Sequence, residues 1–249
     1  MLVTDLTAKW FRSRYMQGVN ASTGRNGPFD DDTIDAFIAA SIGEFESALD
    51  IVITPQLGIV ERHDYSRDKW RRWSGLRLRK RPVRTLTSWE VIYGNALVTT
   101  FPSSWFRLHK LPGQVHLFPT LGTMAGVPAI DAVGTFTAVI QNAAWAPDLF
   151  QLTYDAGLED VSADLANGIG MLAACDVLLQ IGEVAMGPGI TSLSTGIDGL
   201  SHSISGSANA YGPRIEEYGK RLYGDGGAQR GLLARLRDKY RPPVAMLTA

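Results

Sequence analysis

A single cysteine, Cys175, stands in 249 residues, so no intrachain disulfide can form and a disulfide-stapled secreted scaffold is excluded. Lys and Arg are missing altogether from Leu111 to Pro213, a stretch that carries nine Asp/Glu. Long uncharged apolar runs are missing too. The most apolar window, 165–186, holds Asn167, Asp176 and Glu183, and charges at mid-bilayer are costly, so a buried helix is expected there rather than a membrane span. The N-terminus lacks a basic segment followed by an apolar run and is not expected to be a signal peptide. No repeat of 20–50 residues is visible.

Catalytic patterns are equally scarce. The four histidines, His63, His109, His116 and His202, show no HExxH or HxH spacing and have no cysteine pair beside them, so no zinc site is expected. GPGI and GDGG lack the Lys-Ser/Thr of a phosphate loop, and no GxSxG occurs. Cys175 falls on the apolar stripe of a predicted helix with Asp176 adjacent, the setting of a packed thiol rather than a nucleophile. Asp30, Asp31 and Asp32 are expected to serve the start of a helix, where unpaired N–H groups and the helix dipole favour carboxylates. No catalytic residue, metal or cofactor is assigned.

What is present is segregated charge. The formal net charge is only −1, yet Glu61 to Arg84 holds ten Lys/Arg against three Asp/Glu. Arg71, Arg72, Arg77, Arg79, Lys80, Arg81 and Arg84, with Trp70, Trp73 and Trp89 interleaved, form a candidate basic contact surface. It suits phosphate contacts and stacking, the guarded edge of a sheet, or a rim meeting an acidic partner.

Periodicity predicts an α+β chain: a helical bundle with an inserted small antiparallel β-sheet region, an extended arm and C-terminal helices. Residues 4–16 read as a short helix with Leu6, Trp10 and Phe11 or Tyr15 on its apolar side, and 18–28 as a flexible stretch. Ile34, Phe37, Ile38, Ile42, Phe45 and Leu49 recur at helical spacing up to about Asp50. Residues 51–60 are extended. From Trp73 to Phe118 the period is strand-like, with turns at Gly94-Asn95 and Pro112-Gly113; 134–140 and 149–154 look like a final strand pair. Ser162 caps a long helix running to about Ala185. Ile190, Leu193, Ile197, Leu200 and Ile204 punctuate a Gly/Ser-rich segment that fits neither helix nor regular strand and is expected to be an arm packing on a neighbour. Helices are expected over 211–223 and 228–240, stopping before Pro242. The expected divisions are 1–60, 61–160 and 161–249.

The order of these pieces resembles the head–tail connector, or adaptor, proteins of tailed bacteriophages. Leu76, Leu78, Pro82, Val83, Leu86 and Ser88 match that family's pattern in the β insertion. Leu152, Thr153, Tyr154, Ala156 and Gly157 match the strand that precedes its long Ala/Leu-rich helix. The likeness spans about residues 30–205, and residues 187–249 extend beyond the shorter members.

The resemblance implies a non-enzymatic virion protein made in the host cytoplasm and placed in the neck. There it would form a homo-oligomeric ring of twelve copies beneath the portal protein. DNA would pass through the lumen without sequence-specific binding, a tail or stopper protein would attach, and no membrane is involved. On this reading part of the Lys/Arg-free stretch lines the lumen, because DNA slides past a neutral or acidic wall. The arm residues Ile190, Leu193, Ile197, Leu200 and Ile204 form a subunit interface. Leu232, Leu233, Leu236, Tyr240, Val244 and Met246 dock on the portal. A neck stopper or tail-completion protein is the nearest alternative; a β-rich carbohydrate-binding or adhesin module, and an enzyme with dispersed catalytic residues, are more distant ones.

Overall fold

The computed structural model describes residues 2–19, 30–73, 75–94, 96–118, 144–186, 192–197, 200–205, 211–224 and 230–240; at 71–73, 183–186, 192–197 and 200–205 it describes the backbone alone. The expected flexible stretch 18–28, the strand at 134–140 and the residues beyond Tyr240 lie wholly or largely outside this set. The chain is α+β and divides into two compact units. One is built from Met1–Leu49 and Asp160–Pro243, the other from Asp50–Glu159. The expected boundary at 60/61 therefore falls inside a strand.

The first unit is helical. A single 3-10 turn at Val3–Asp5 precedes α1 (Ala8–Tyr15), whose cap Thr7 accepts from the Trp10 N–H. The helix expected over 4–16 is thus shorter, broken by Leu6 and Thr7. Helix α2 (Asp31–Leu49) begins as its acids dictate: Asp30 Oδ1 accepts from Thr33 N at 2.8 Å, and the Thr33 side chain first and this N–H second hold that carboxyl below its ordinary range. Asp31 pairs with Arg12 at 2.8 Å and Asp35 accepts from Ala8 N at 2.6 Å, so the acidic start also ties α1 to α2.

Helix α4 (Ala163–Met186) is the axis of the unit, starting at the Ser162 side chain, which accepts from Leu165 N. By length and composition its Ala163–Gly182 stretch could cross a membrane, but 67% of its apolar window is buried inside the fold. Leu165, Ile169, Ala173, Ala174, Val177 and Leu178 meet Ile34, Ile38, Phe45 and Leu49 of α2 in the core. Two glycines let rings lie directly on α4. A Cβ at Gly168 would come within 2.8 Å of the Phe45 ring, and one at Gly170 within 2.3 Å of the Tyr15 ring.

Helices α5 (Gly212–Tyr223) and α6 (Leu232–Tyr240) complete the bundle. The second starts four residues later than its pattern suggested. Between them, Gly231 sits against the backbone of 222–224, where an added Cβ would come within 2.3–2.5 Å. The Gly/Ser-rich segment is a regular antiparallel hairpin after all: β8 (Ser192–Ile197) pairs with β9 (Leu200–Ser205), placing Leu193 opposite Ile204 and Ile197 opposite Leu200.

The second unit is a two-sheet β structure. Strands β1 (Gln56–Ser66), β3 (Val83–Tyr93), β4 (Ala96–Thr100) and β7 (Trp145–Ala156) form one antiparallel sheet in the order β1-β7-β3-β4. Strands β2 (Gly75–Arg77), β5 (Phe106–His109) and β6 (Gln114–Leu117) form another, ordered β2-β6-β5. A short helix, α3 (Arg67–Trp73), joins β1 to β2 between the stretches expected to be extended and strand-like.

One core takes Trp89, Val91, Phe150, Leu152 and Tyr154 from the first sheet and Val115 and Leu117 from the second. Trp70 of α3 stacks on Phe150 at 5.1 Å. The opposite face of the larger sheet is polar: Arg62 Nε donates to Gln151 Oε1 at 3.2 Å, and Gln151 Nε2 donates to Glu90 Oε2 at 3.1 Å, a ladder across three strands.

Gly157 has φ +118°, and a Cβ there would lie 2.7 Å from Pro55 Cα. Gly157→Ala is expected to cost about 2–4 kcal/mol through backbone strain and overlap. Gly43, exposed inside α2 with nothing within 4 Å of an added Cβ, should respond oppositely: Gly43→Ala is expected to gain about 0.5–1 kcal/mol. Urea denaturation of the two variants checks both signs.

Candidate interface surfaces

The basic run of residues 71–84 does not form one surface. Arg77, Arg79 and Lys80 are exposed and Arg84 is half-buried, whereas Arg81 is only 3% exposed. Arg81 is therefore withdrawn from the expected contact surface. Its Nε donates to the Asp50 carbonyl at 2.9 Å, its Nη2 pairs with the Asp50 carboxylate, and its own carbonyl accepts from Val52 N at 2.6 Å. This arginine fastens the segment entering β1 to the turn entering β3. Arg71 and Arg72 lie on α3, where the backbone alone is described.

Beside Arg81, a buried carboxylate organises the next stretch. Glu61, 8% exposed, accepts from the Tyr154 hydroxyl at 2.6 Å and from the Arg79 backbone N–H at 3.1–3.2 Å. His63 Nε2 lies 3.0 Å and Arg79 Nε 3.5 Å from the same carboxylate. Burial pushes the Glu61 carboxyl up, but its contacts with His63, Tyr154 and Arg79 outweigh this and hold it below the ordinary value of 4.5. Burial and the bond to Glu61 raise the Tyr154 phenol, which therefore donates as a neutral group. The Tyr154 oxygen in turn accepts from Lys80 N at 3.2 Å.

His63 and Arg79, two of the groups around Glu61, border a cleft of about 700 Å³. Its lining includes Arg62 and His63 of β1, Lys69 and Trp70 of α3, Arg77 of β2, and Arg79. Two carboxylates, Asp64 and Asp148, face the same space, and Asp64 Oδ1 accepts from Asp148 N at 2.9 Å. Sequence reading had the cations but not this assembly, because Glu61 meets Tyr154 across 93 residues.

In the helical unit, the expected docking residues are mostly core. Leu232, Leu236 and Tyr240 are buried, Leu233 is half-buried, and the Tyr240 hydroxyl lies 3.1 Å from Ser162 Oγ. The apolar stripe of α6 faces its own bundle, which corrects the reading of this helix as an exposed docking element. Val244 and Met246 lie outside the described residues. Of the arm residues, Leu193, Ile197, Leu200 and Ile204 occupy the hairpin strands, and Ile190 lies outside the described residues.

A second cleft of about 730 Å³ is lined by Arg14, Tyr15, Asp164, Glu217, Arg230 and Arg235 among others. Its cations are partly engaged: Arg221 pairs with Glu217 at 2.5 Å and Arg230 with Asp238 at 2.7 Å.

The Cys175 thiol is half-buried and pushed up to about 11 by burial and then by Asp176, so it stays protonated at neutral pH. His109 of β5 and His116 of β6 share a face, with ring centroids 5.7 Å apart. Among the described residues no cluster of three or more His, Cys, Asp or Glu is placed to hold a metal.

No protein-family model matches the chain, and no curated protein matches it. Solved structures do. A structure described as "Virion of native gene transfer agent (GTA) particle" is 15% identical, with 96% of this chain and 91% of that chain covered and a TM-score of 0.45. "Neck of empty GTA particle computed with C6 symmetry" is 18% identical over 67% of this chain and 74% of that one, TM-score 0.41. "Neck of native GTA particle computed with C12 symmetry" is 17% identical over 69% and 75%, TM-score 0.40.

The lowered Glu61 carboxyl contributes stability that is complete above its ordinary value of 4.5 and is lost as pH falls through the lower folded value. Glu61→Gln is expected to cost about 1–3 kcal/mol at pH 7 by leaving donors poorly matched. The gap between wild type and variant should close as pH drops below about 4.5. Thermal unfolding followed over pH 3–7 measures it.

Proposed function

We propose that this chain is a structural protein of a phage-like particle, the head-to-tail adaptor that forms a ring in the neck beneath the portal. The observation that carries the reading is the meeting of the two segments on which the family resemblance rests. Val83 pairs with Ala156 and Leu86 with Tyr154 along β3 and β7, and Gly157 N donates to Pro82 O at 2.9 Å. Two weak matches far apart in the sequence are thus one contiguous piece of sheet, held in a β unit inserted between the two halves of a helical unit. That is the arrangement the resemblance implies.

A ring protomer makes heterologous contacts that close on themselves. The β8–β9 hairpin suits such a contact: its register puts Leu193, Ile197, Leu200 and Ile204 on one face and Ser192, Ser194, Ser201 and Ser203 on the other. Part of the Lys/Arg-free stretch would supply a wall past which DNA slides. Docking on the portal is assigned to the chain after Tyr240, including Val244 and Met246, since α6 itself is core.

A neck stopper would share the particle and the class, and differs in which neighbour it binds. Co-expression with the cognate portal and tail proteins, followed by affinity capture and electron microscopy, separates the two. Capture of portal, and a ring of twelve copies on it, is the expected result; capture of tail tube alone favours the stopper, and a monomer indifferent to both ends the proposal.

Removing Pro242–Ala249 is expected to abolish portal capture while leaving the thermal midpoint within about 1–2 °C, because it takes away none of the described core residues. Deletion from residue 228 onward should instead lower the midpoint sharply, since it removes buried Leu232, Leu236 and Tyr240.

A further inference from the structure

We infer that the 700 Å³ cleft of the β unit is a docking groove for an extended, acidic polypeptide segment of a partner. The cleft takes its lining from β1 and β2, each an edge strand of its sheet among the described residues. An edge strand presents alternating N–H donors and C=O acceptors on one side, a template that another extended polypeptide completes. Its volume falls within the range of about 300–1,000 Å³ typical of ligand sites.

Charge selects the occupant. Lys69, Arg77 and Arg79 line the cleft against Asp64 and Asp148, an excess of one cation, while Arg62 at its border turns its Nε to Gln151 on the other face of the sheet. The Arg79 side chain is 79% exposed, and buried Glu61 holds its backbone N–H and lies 3.5 Å from its Nε, so the position is held at the rim of the cleft. Trp70, stacked on Phe150, gives the groove an apolar wall.

A nucleic-acid strand would meet the same cations, but its backbone offers acceptors only. The strand carbonyls, Asp64 and Asp148 would then face phosphate oxygens, an unfavourable juxtaposition that a polypeptide avoids by donating its own N–H groups. The inference does not rest on the neck reading: a chain with no place in a particle would keep this groove.

The test is fluorescence anisotropy with a labelled octapeptide of alternating glutamate and threonine, compared with the same peptide carrying lysine for glutamate and with an eight-nucleotide oligothymidylate. At about 50 mM salt the acidic peptide should bind saturably and at least about tenfold tighter than either comparator, weakening as salt screens the pairs. Lys69→Glu with Arg77→Glu, whose side chains are outside the core, should weaken it by about tenfold or more. Arg77→Gln, a milder change with melting checked alongside, should weaken it in the same direction. Binding that ignores these substitutions, no saturable binding of the acidic peptide, or tighter binding of oligothymidylate would each overturn the inference.

Discussion

A buried carboxylate must be satisfied or it unfolds its surroundings, and in the β unit that carboxylate is Glu61. Leaving an ion of this kind unpaired in the interior costs several kcal/mol. Here the requirement is met from three directions: the hydroxyl of Tyr154 on β7, the backbone of the turn at Arg79, and the imidazole of His63 two residues along β1. Each partner is fixed by the demand. The turn cannot drift from β1, Tyr154 cannot rotate out of the core, and the Arg79 guanidinium has to leave over the rim of the cleft. Arg81 repeats the logic one turn on, with Asp50 as its partner. The basic run thus alternates between residues that build the β unit and residues that it displays.

How much of this was legible beforehand depends on how local the cause was. Helix α2 could be read from Ile34, Ile38, Phe45 and Leu49 and from the Asp30 cap, because spacing and cap lie within one stretch of chain. The same holds for Ser162 at the start of α4. Strand β3 showed itself in β-branched and aromatic residues running to a Gly94 turn with φ +62°.

Errors arose where one residue type serves two ends. Leu232, Leu236 and Tyr240 recur every four residues, which is the stripe of a packed helix; paired with a basic opposite face it reads equally as an exposed docking helix, and only the contacts decide. In the hairpin, the three- and four-residue intervals between Leu193, Ile197, Leu200 and Ile204 concealed a period of two, since each four-residue step stays on one face of a strand and the three-residue step passes from Ile197 to its partner Leu200. Helix α3 offers Trp70 and Trp73 and little else, too short a window for periodicity. Arg81 is the clearest limit: an arginine among arginines, made internal by Asp50, which lies 31 residues earlier.

The two sheets of the β unit also explain why a basic cluster can coexist with a near-neutral chain. Cations gather where β1, α3 and β2 follow one another, and the carboxylates nearest to them are few and shared: Glu61 holds the turn and meets Arg79, and Asp64 holds the Asp148 amide. Neutralisation inside the fold is therefore incomplete at this rim by construction. On the far face of the same sheet the Arg62–Gln151–Glu90 ladder closes its charges within three strands. A surface whose charges are mutually satisfied has little to offer a neighbour, and one whose carboxylates are committed inward leaves its cations facing out. That asymmetry between two faces of one sheet, set by which strand carries Glu61, is what the inferred docking groove draws on.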